Sequence, residues 1–158
     1  MPHRHSFLVE KMLTVRIIAV GKMKEQFYKD AFAEYAKRLG GYCRFECIEV
    51  AESTLDKEAE NVIKYIDKGS FVIAMCVEGK KLSSEALAEK MASLMVGGCS
   101  ELVFLIGGSV GLASSLKDRA DFRLSMSDMT FPHHLARVMI AEQIYRCFKI
   151  LEGSIYHK

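Results

Sequence analysis

Three histidines and two arginines crowd residues 124–158, and these are side chains that move protons and grip anions. The stretch LSMSDMTFPHHLARVMIAEQIYRCFKILEGSIYHK, residues 124–158, sets them among small polar residues and one proline. Pro132 cannot continue a strand and suits the approach to a helix, so His133 and His134 fall at a helix N-terminus. There anions are favoured and an imidazole is less ready to take a proton. The two histidines either serve chemistry or simply form the first turn. Adjacent histidines point apart, and no cysteine or carboxylate stands at ligand spacing, which argues against a metal.

Projected at 100° per residue, the helix that follows carries Ile140, Ala141, Ile144, Cys147, Phe148 and Leu151 on one stripe, with Arg137 in the middle of it. A covered arginine needs a partner, because an unpaired buried charge is too costly. A carboxylate across an interface, a helix C-terminus or a bound phosphate would each serve. Glu142 and Arg146, four residues apart, suit an ordinary surface ion pair. The last residues either fray or dock; docked, Tyr156 offers a stacking face or a hydroxyl and His157 an acid, a base or a hydrogen-bond donor.

Upstream, LVFLIGGSVGL (102–112) runs from strand-forming residues into a glycine turn. Glycine beyond the carboxyl end of a strand permits close approach to the backbone, where open α/β sheets bind ligands. Glycines at 107, 108 and 111 do not make the G-x-G-x-x-G of dinucleotide sites, and GKK at 79–81 is not a phosphate loop. The turn is therefore either structural or the wall of a site of another kind.

The elements that must position these residues read as an α/β fold. From Met12 onward, short apolar runs alternate with amphipathic segments, the pattern of a parallel sheet covered by helices in a single domain. Strands are predicted at 13–21, 45–51, 70–77, 101–108 and 122–127, and helices at 25–39, 55–69, 83–98, around 110–120 and at 135–151. Phe27, Ala31, Tyr35 and Leu39 share one face of the first helix. A chain of 158 residues, half of them hydrophobic, can bury a real core, and a formal charge of +2 is too small to announce a nucleic-acid protein by itself. Five cysteines without C-x-x-C spacing, and no apolar signal-peptide core, point to reduced thiols and a cytoplasmic protein. No apolar run approaches a membrane span. Residues 1–11 do not continue into the pattern and are expected to be a non-native or disordered extension.

FLIGGSVGL, LSMSDMTFPHHLARVMIAEQIYRCFKI and the terminal YHK, in that order, resemble the ribosomal large-subunit pseudouridine N3-methyltransferases (RlmH), the smallest members of the SPOUT class. VRIIAVGKMKEQFYKDAFAEYAKRL resembles the N-terminus of the same family, so the likeness spans residues 12–158. It implies a SPOUT α/β fold with a deep C-terminal trefoil knot, a homodimer, and S-adenosylmethionine bound in the knot without a metal. Motif matching places Gly107 and the loop Met126, Ser127, Asp128, Met129, Thr130 and Phe131 around the cofactor, with Met75 beside the adenine. His133, Arg137, Tyr156 and His157 match positions near the methyl donor, His157 as proton acceptor and Arg137 as RNA anchor. The substrate so implied is large-subunit (23S) rRNA in the assembled ribosome, with the tail completing the partner subunit's site.

The chain departs from the family in the short AESTLDKEAENV after the second strand, where a longer charged loop is common, and in Met75, where leucine is common. A non-catalytic, ribosome-associated RNA-binding protein of the same fold is the alternative. Intact GGSVG, FPHH and YHK count against it, since a pure binder needs no methyl-donor pocket.

Overall fold

The computed structural model describes residues 12–157. The expected extension 1–11 lies outside the described residues, as does Lys158. Five strands and five helices alternate: β1 (Thr14–Val20), α1 (Gln26–Leu39), β2 (Arg44–Val50), α2 (Leu55–Ile63), β3 (Phe71–Lys81), α3 (Ser84–Val96), β4 (Glu101–Ile106), α4 (Ser114–Arg119), β5 (Phe122–Ser125) and α5 (His133–Leu151). The strands form one sheet in the order β2-β1-β4-β3-β5, and every pair is parallel.

Alternation along the central strands divides the core in two. Val15, Ile17 and Ala19 of β1 and Leu102, Phe104 and Ile106 of β4 face one side, where Ile140, Ile144 and Phe148 of α5 and Met91 of α3 cover them. Ile18, Val20, Val103 and Leu105 face the other side, under Val62 of α2 and Leu116 of α4. Each fully buried aliphatic or aromatic side chain contributes about 1.5–3 kcal/mol, so a sheet buried on both faces is the main stabilising element. Side chains cap the starts of two helices: Thr54 Oγ1 accepts from the Lys57 amide at 3.2 Å, and Ser83 Oγ from the Ala86 amide at 3.0 Å.

Four expectations need correction. α2 stops at Ile63 instead of reaching 69, and the Tyr65 carbonyl is taken by Arg16 Nη1 at 3.1 Å. β3 runs to Lys81 instead of 77, because it pairs with β5 again after a register shift between Met75 and Lys80. Gly79 lies in that shift, and a Cβ there would sit 2.8 Å from the backbone of Arg123 and Leu124. Leu151 leaves the apolar stripe, being exposed at the last position of α5. Phe27 is likewise exposed, its ring resting on Tyr28 in the first turn of α1 instead of on the sheet.

Candidate functional site

Gly107 follows β4 directly, and the turn it opens closes on itself. The Gly111 amide donates to the Gly108 carbonyl at 3.0 Å, with Gly111 at φ +80°. A Cβ on Gly107 would lie 2.4 Å from the Gly111 carbonyl carbon. The backbone that comes close to this glycine is thus the return leg of its own turn.

The far side of that turn is the wall of a cavity of about 230 Å3. Met75, Gly107, Met126, Ser127, Met129, Thr130 and Phe131 line it, drawn from the middle of β3, the end of β4 and the loop between β5 and α5. Short hydrogen bonds shape that loop: Ser125 Oγ donates to the Ser127 carbonyl at 3.0 Å, and Ser127 Oγ accepts from the Met129 amide at 3.0 Å. Asp128 does not join the lining. It turns outward to Lys81 Nζ, 2.6 Å away, in an exposed ion pair.

His133 also lines the cavity, from the first position of α5. Burial, and then the neighbouring His134, hold its pKa below the ordinary imidazole value, in the direction expected at a helix N-terminus. The two rings meet edge to face at 4.2 Å. A second cavity, about 470 Å3, shares Met75, Ser125, Met126 and Ile140 with the first and extends along α5 past Ser84 and Gln143. Ser84 Oγ donates to Gln143 Oε1 at 2.6 Å on its wall.

Arg137 is 2% exposed and its partner is internal. Nη1 donates to Glu49 Oε2 at 2.6 Å and Nη2 to the Gly21 carbonyl at 2.8 Å. The same Glu49 oxygen accepts from the Met23 amide at 2.8 Å. Burial pushes the Glu49 carboxyl up, but the Met23 amide and the Arg137 guanidinium together outweigh it and leave the group below the ordinary carboxylate range. Sequence reasoning did not find Glu49. The signal was available, since a covered arginine demands a carboxylate and β2 carries Glu46 and Glu49.

Tyr156 and His157 do dock, yet away from the glycine turn. The Tyr156 ring meets Tyr145 edge to face at 5.1 Å, with the Arg146 guanidinium 4.9 Å above it. His157 Nδ1 lies 3.1 Å from Arg146 Nη1 and Nε2 lies 2.5 Å from Glu85 Oε1. Arginine only donates and a carboxylate only accepts, so the neutral ring carries its proton on Nε2 and its Nδ1 accepts from Arg146. The Glu142–Arg146 pair at 2.8 Å is part-buried, and it is the support of the tail imidazole as much as a surface pair. Arg146, which holds the tail, is six residues beyond Ile140 of the donor-side cavity, about 9 Å along the helix at 1.5 Å per residue, and its partner Glu142 lines the adjoining second cavity. Neither Tyr156 nor His157 lines the donor-side cavity of its own chain.

Among the described residues no group of three His, Cys, Asp or Glu side chains is placed to hold a metal ion. No helix of the described residues is long and apolar enough to cross a membrane.

Comparison with known proteins shows the family. The family model "Predicted SPOUT methyltransferase" matches residues 13–157. A ribosomal RNA large subunit methyltransferase H from Acetivibrio thermocellus is 45% identical over 159 residues, covering 92% of this chain and all of the relative. The protein of the same name from Bifidobacterium adolescentis has the same identity and coverage. Among solved structures, a methylase family protein from Haemophilus influenzae superposes with a TM-score of 0.56 at 15% identity, over 91% of this chain and 70% of its own. That last likeness concerns the fold.

Proposed function

The chain belongs to the SPOUT methyltransferase family, alongside the ribosomal RNA large subunit methyltransferases H, and from that premise we propose that it methylates N3 of a pseudouridine in large-subunit rRNA, using S-adenosylmethionine. One observation carries the reading: three chain segments far apart in sequence, the middle of β3, the glycine turn and the loop 126–131, converge on a single cavity with His133 at its edge.

The residues present fit the methyl donor. Met75, Ile106 and Leu112 supply apolar walls for an adenine, while the turn and the loop bring backbone amides and carbonyls that can read its edge without charged side chains. Bound there, S-adenosylmethionine supplies an already activated methyl group. The protein's own work is to align the acceptor base and to take its N3 proton. His157 is the proposed acceptor, with Nε2 held by Glu85; to take the proton, Nδ1 must exchange Arg146 for the acceptor base. Tyr156 offers a face against which an unstacked loop base can rest, with Arg146 beneath it.

Because neither Tyr156 nor His157 lines the donor cavity of its own chain, a second copy that lends its tail would complete the arrangement. A homodimer with the tail acting in trans is therefore part of the proposal, as is the trefoil knot formed where the loop 126–131 packs beside the glycine turn. The deciding experiment is transfer of labelled methyl from S-adenosylmethionine to ribosomes lacking the modification, followed by nuclease mapping. Label on N3 of a pseudouridine is the expected result. Donor binding without transfer would favour the non-catalytic RNA-binding reading instead.

A further inference from the structure

His133 is the wall between two concavities. One is the donor cavity, and the other is a recess of about 340 Å3 between the turn after β1 and the start of α5, lined by Gly21, Lys22, Lys24, Tyr28, His133 and His134 together with Glu25 and Glu52. It lies beyond the carboxyl ends of β1 and β2, where open α/β sheets bind ligands.

The chemistry of the recess is that of a phosphate site. Lys22 and Lys24 are both exposed and flank the buried Met23, so their side chains leave the same face of the chain. The two carboxylates of the recess are turned to histidines, Glu25 to His134 Nδ1 at 3.3 Å and Glu52 to His133 Nε2 at 3.9 Å. Among the described residues this leaves the two ammonium groups without a carboxylate partner. His134 Nε2 is buried and makes no hydrogen bond, and with Nδ1 facing Glu25 it is an unmet acceptor in the neutral ring. A phosphate accepts from two such ammonium groups.

We propose that this recess seats the backbone phosphate of the nucleotide adjoining the methylated base, held by Lys22 and Lys24. Arg137 then acts on the RNA indirectly. Its hydrogen bond to the Gly21 carbonyl, and that of Glu49 to the Met23 amide, pin the backbone from which the two lysines project. Arg137 is a positioning residue for this grip, and its guanidinium stays inside the chain.

The inference rests on the chain being an rRNA methyltransferase, and its test separates the two. In the double variant Lys22→Gln/Lys24→Gln, KM for unmodified ribosomes should rise about tenfold, with kcat and S-adenosylmethionine affinity within about twofold of the parent. The log-log salt slope of ribosome binding should become shallower by about one to two. Unchanged KM and salt slope would overturn the site. Glu49→Gln, which loosens the pinned loop while keeping the lysines, should raise KM more than it lowers kcat; a lower melting temperature and lower kcat with KM untouched would make the clamp merely structural. If the parent protein transfers no methyl to ribosomes, the function fails first, and direct binding of an rRNA fragment with and without the two lysines still decides the recess.

Discussion

Arg137 Nη1 lies 2.6 Å from Glu49 Oε2, a pairing that joins the first turns of α5 to the second-last residue of β2 across 88 positions of sequence. It fixes the start of the helix carrying His133 against the strand ends around which both concavities are built.

Removing the carboxylate alone should therefore be worse than removing both partners. Glu49→Ala strands a guanidinium that is 2% exposed, and the expected loss is about 2–3 kcal/mol, below the usual range for a buried pair because Glu49 itself is partly solvated. Glu49→Ala/Arg137→Leu should recover part of that loss. Urea denaturation of the three proteins measures it, and a double variant no more stable than Glu49→Ala would contradict the account.

The pair also sets a pH dependence. Glu49 titrates below the ordinary carboxylate value of about 4.3, so its contribution is fully present above that pH and disappears as the pH falls through the lower folded-state value. Stability of the parent should decline in that acid window more steeply than that of Glu49→Gln, which has no proton to take up. Parallel curves in denaturant titrations from pH 6 down to about 3 would show that the carboxylate does not titrate as described.

Gly107→Ala should open the turn. Its Cβ would meet backbone at 2.4 Å, which no side-chain adjustment relieves, so a cost of about 1–3 kcal/mol and a clear loss of S-adenosylmethionine affinity are expected. Gly69→Ala is the control. No atom lies within 4 Å of the added methyl and no unusual φ is required there, so stability should hold or rise by up to about 1 kcal/mol. Calorimetric titration of the donor against both variants checks the contrast.

Much of this was legible in the sequence, and the exceptions share a cause. The periodicities of β1 and β4 report burial on both faces, which one strand displays by itself, and Ser83 announces the start of α3 by local chemistry. The end of α2, the second half of β3 and the partner of Arg137 all depend on residues distant in sequence: Arg16 for the Tyr65 carbonyl, β5 for Lys80, Glu49 for the guanidinium. Periodicity carries no information about such pairings. The motifs told which loops would meet, since Met75, Gly107 and Met126 do line one cavity. They did not tell that Asp128 points away, because the outward turn is set by Lys81, itself in the unexpected extension of β3.

Because neither Tyr156 nor His157 lines the donor cavity of its own chain, a complementation experiment is decisive. Gly107→Ala should inactivate a site through its cavity, and His157→Ala should abolish transfer through its tail while leaving S-adenosylmethionine affinity nearly unchanged, since His157 does not line that cavity. If each site takes its cavity from one copy and its tail from the other, a mixed dimer of the two variants holds one intact site and one doubly defective site. Equimolar mixing after dissociation and reassembly should then restore about a quarter of the parent's transfer, half of the dimers being mixed and half of their sites intact. If the tail swings round to serve its own chain, every site in every dimer carries one defect and no activity returns. Recovery of transfer thus assigns His157 to the partner's site, and its absence, with both variants folded and reassembled, removes the trans arrangement from the proposal.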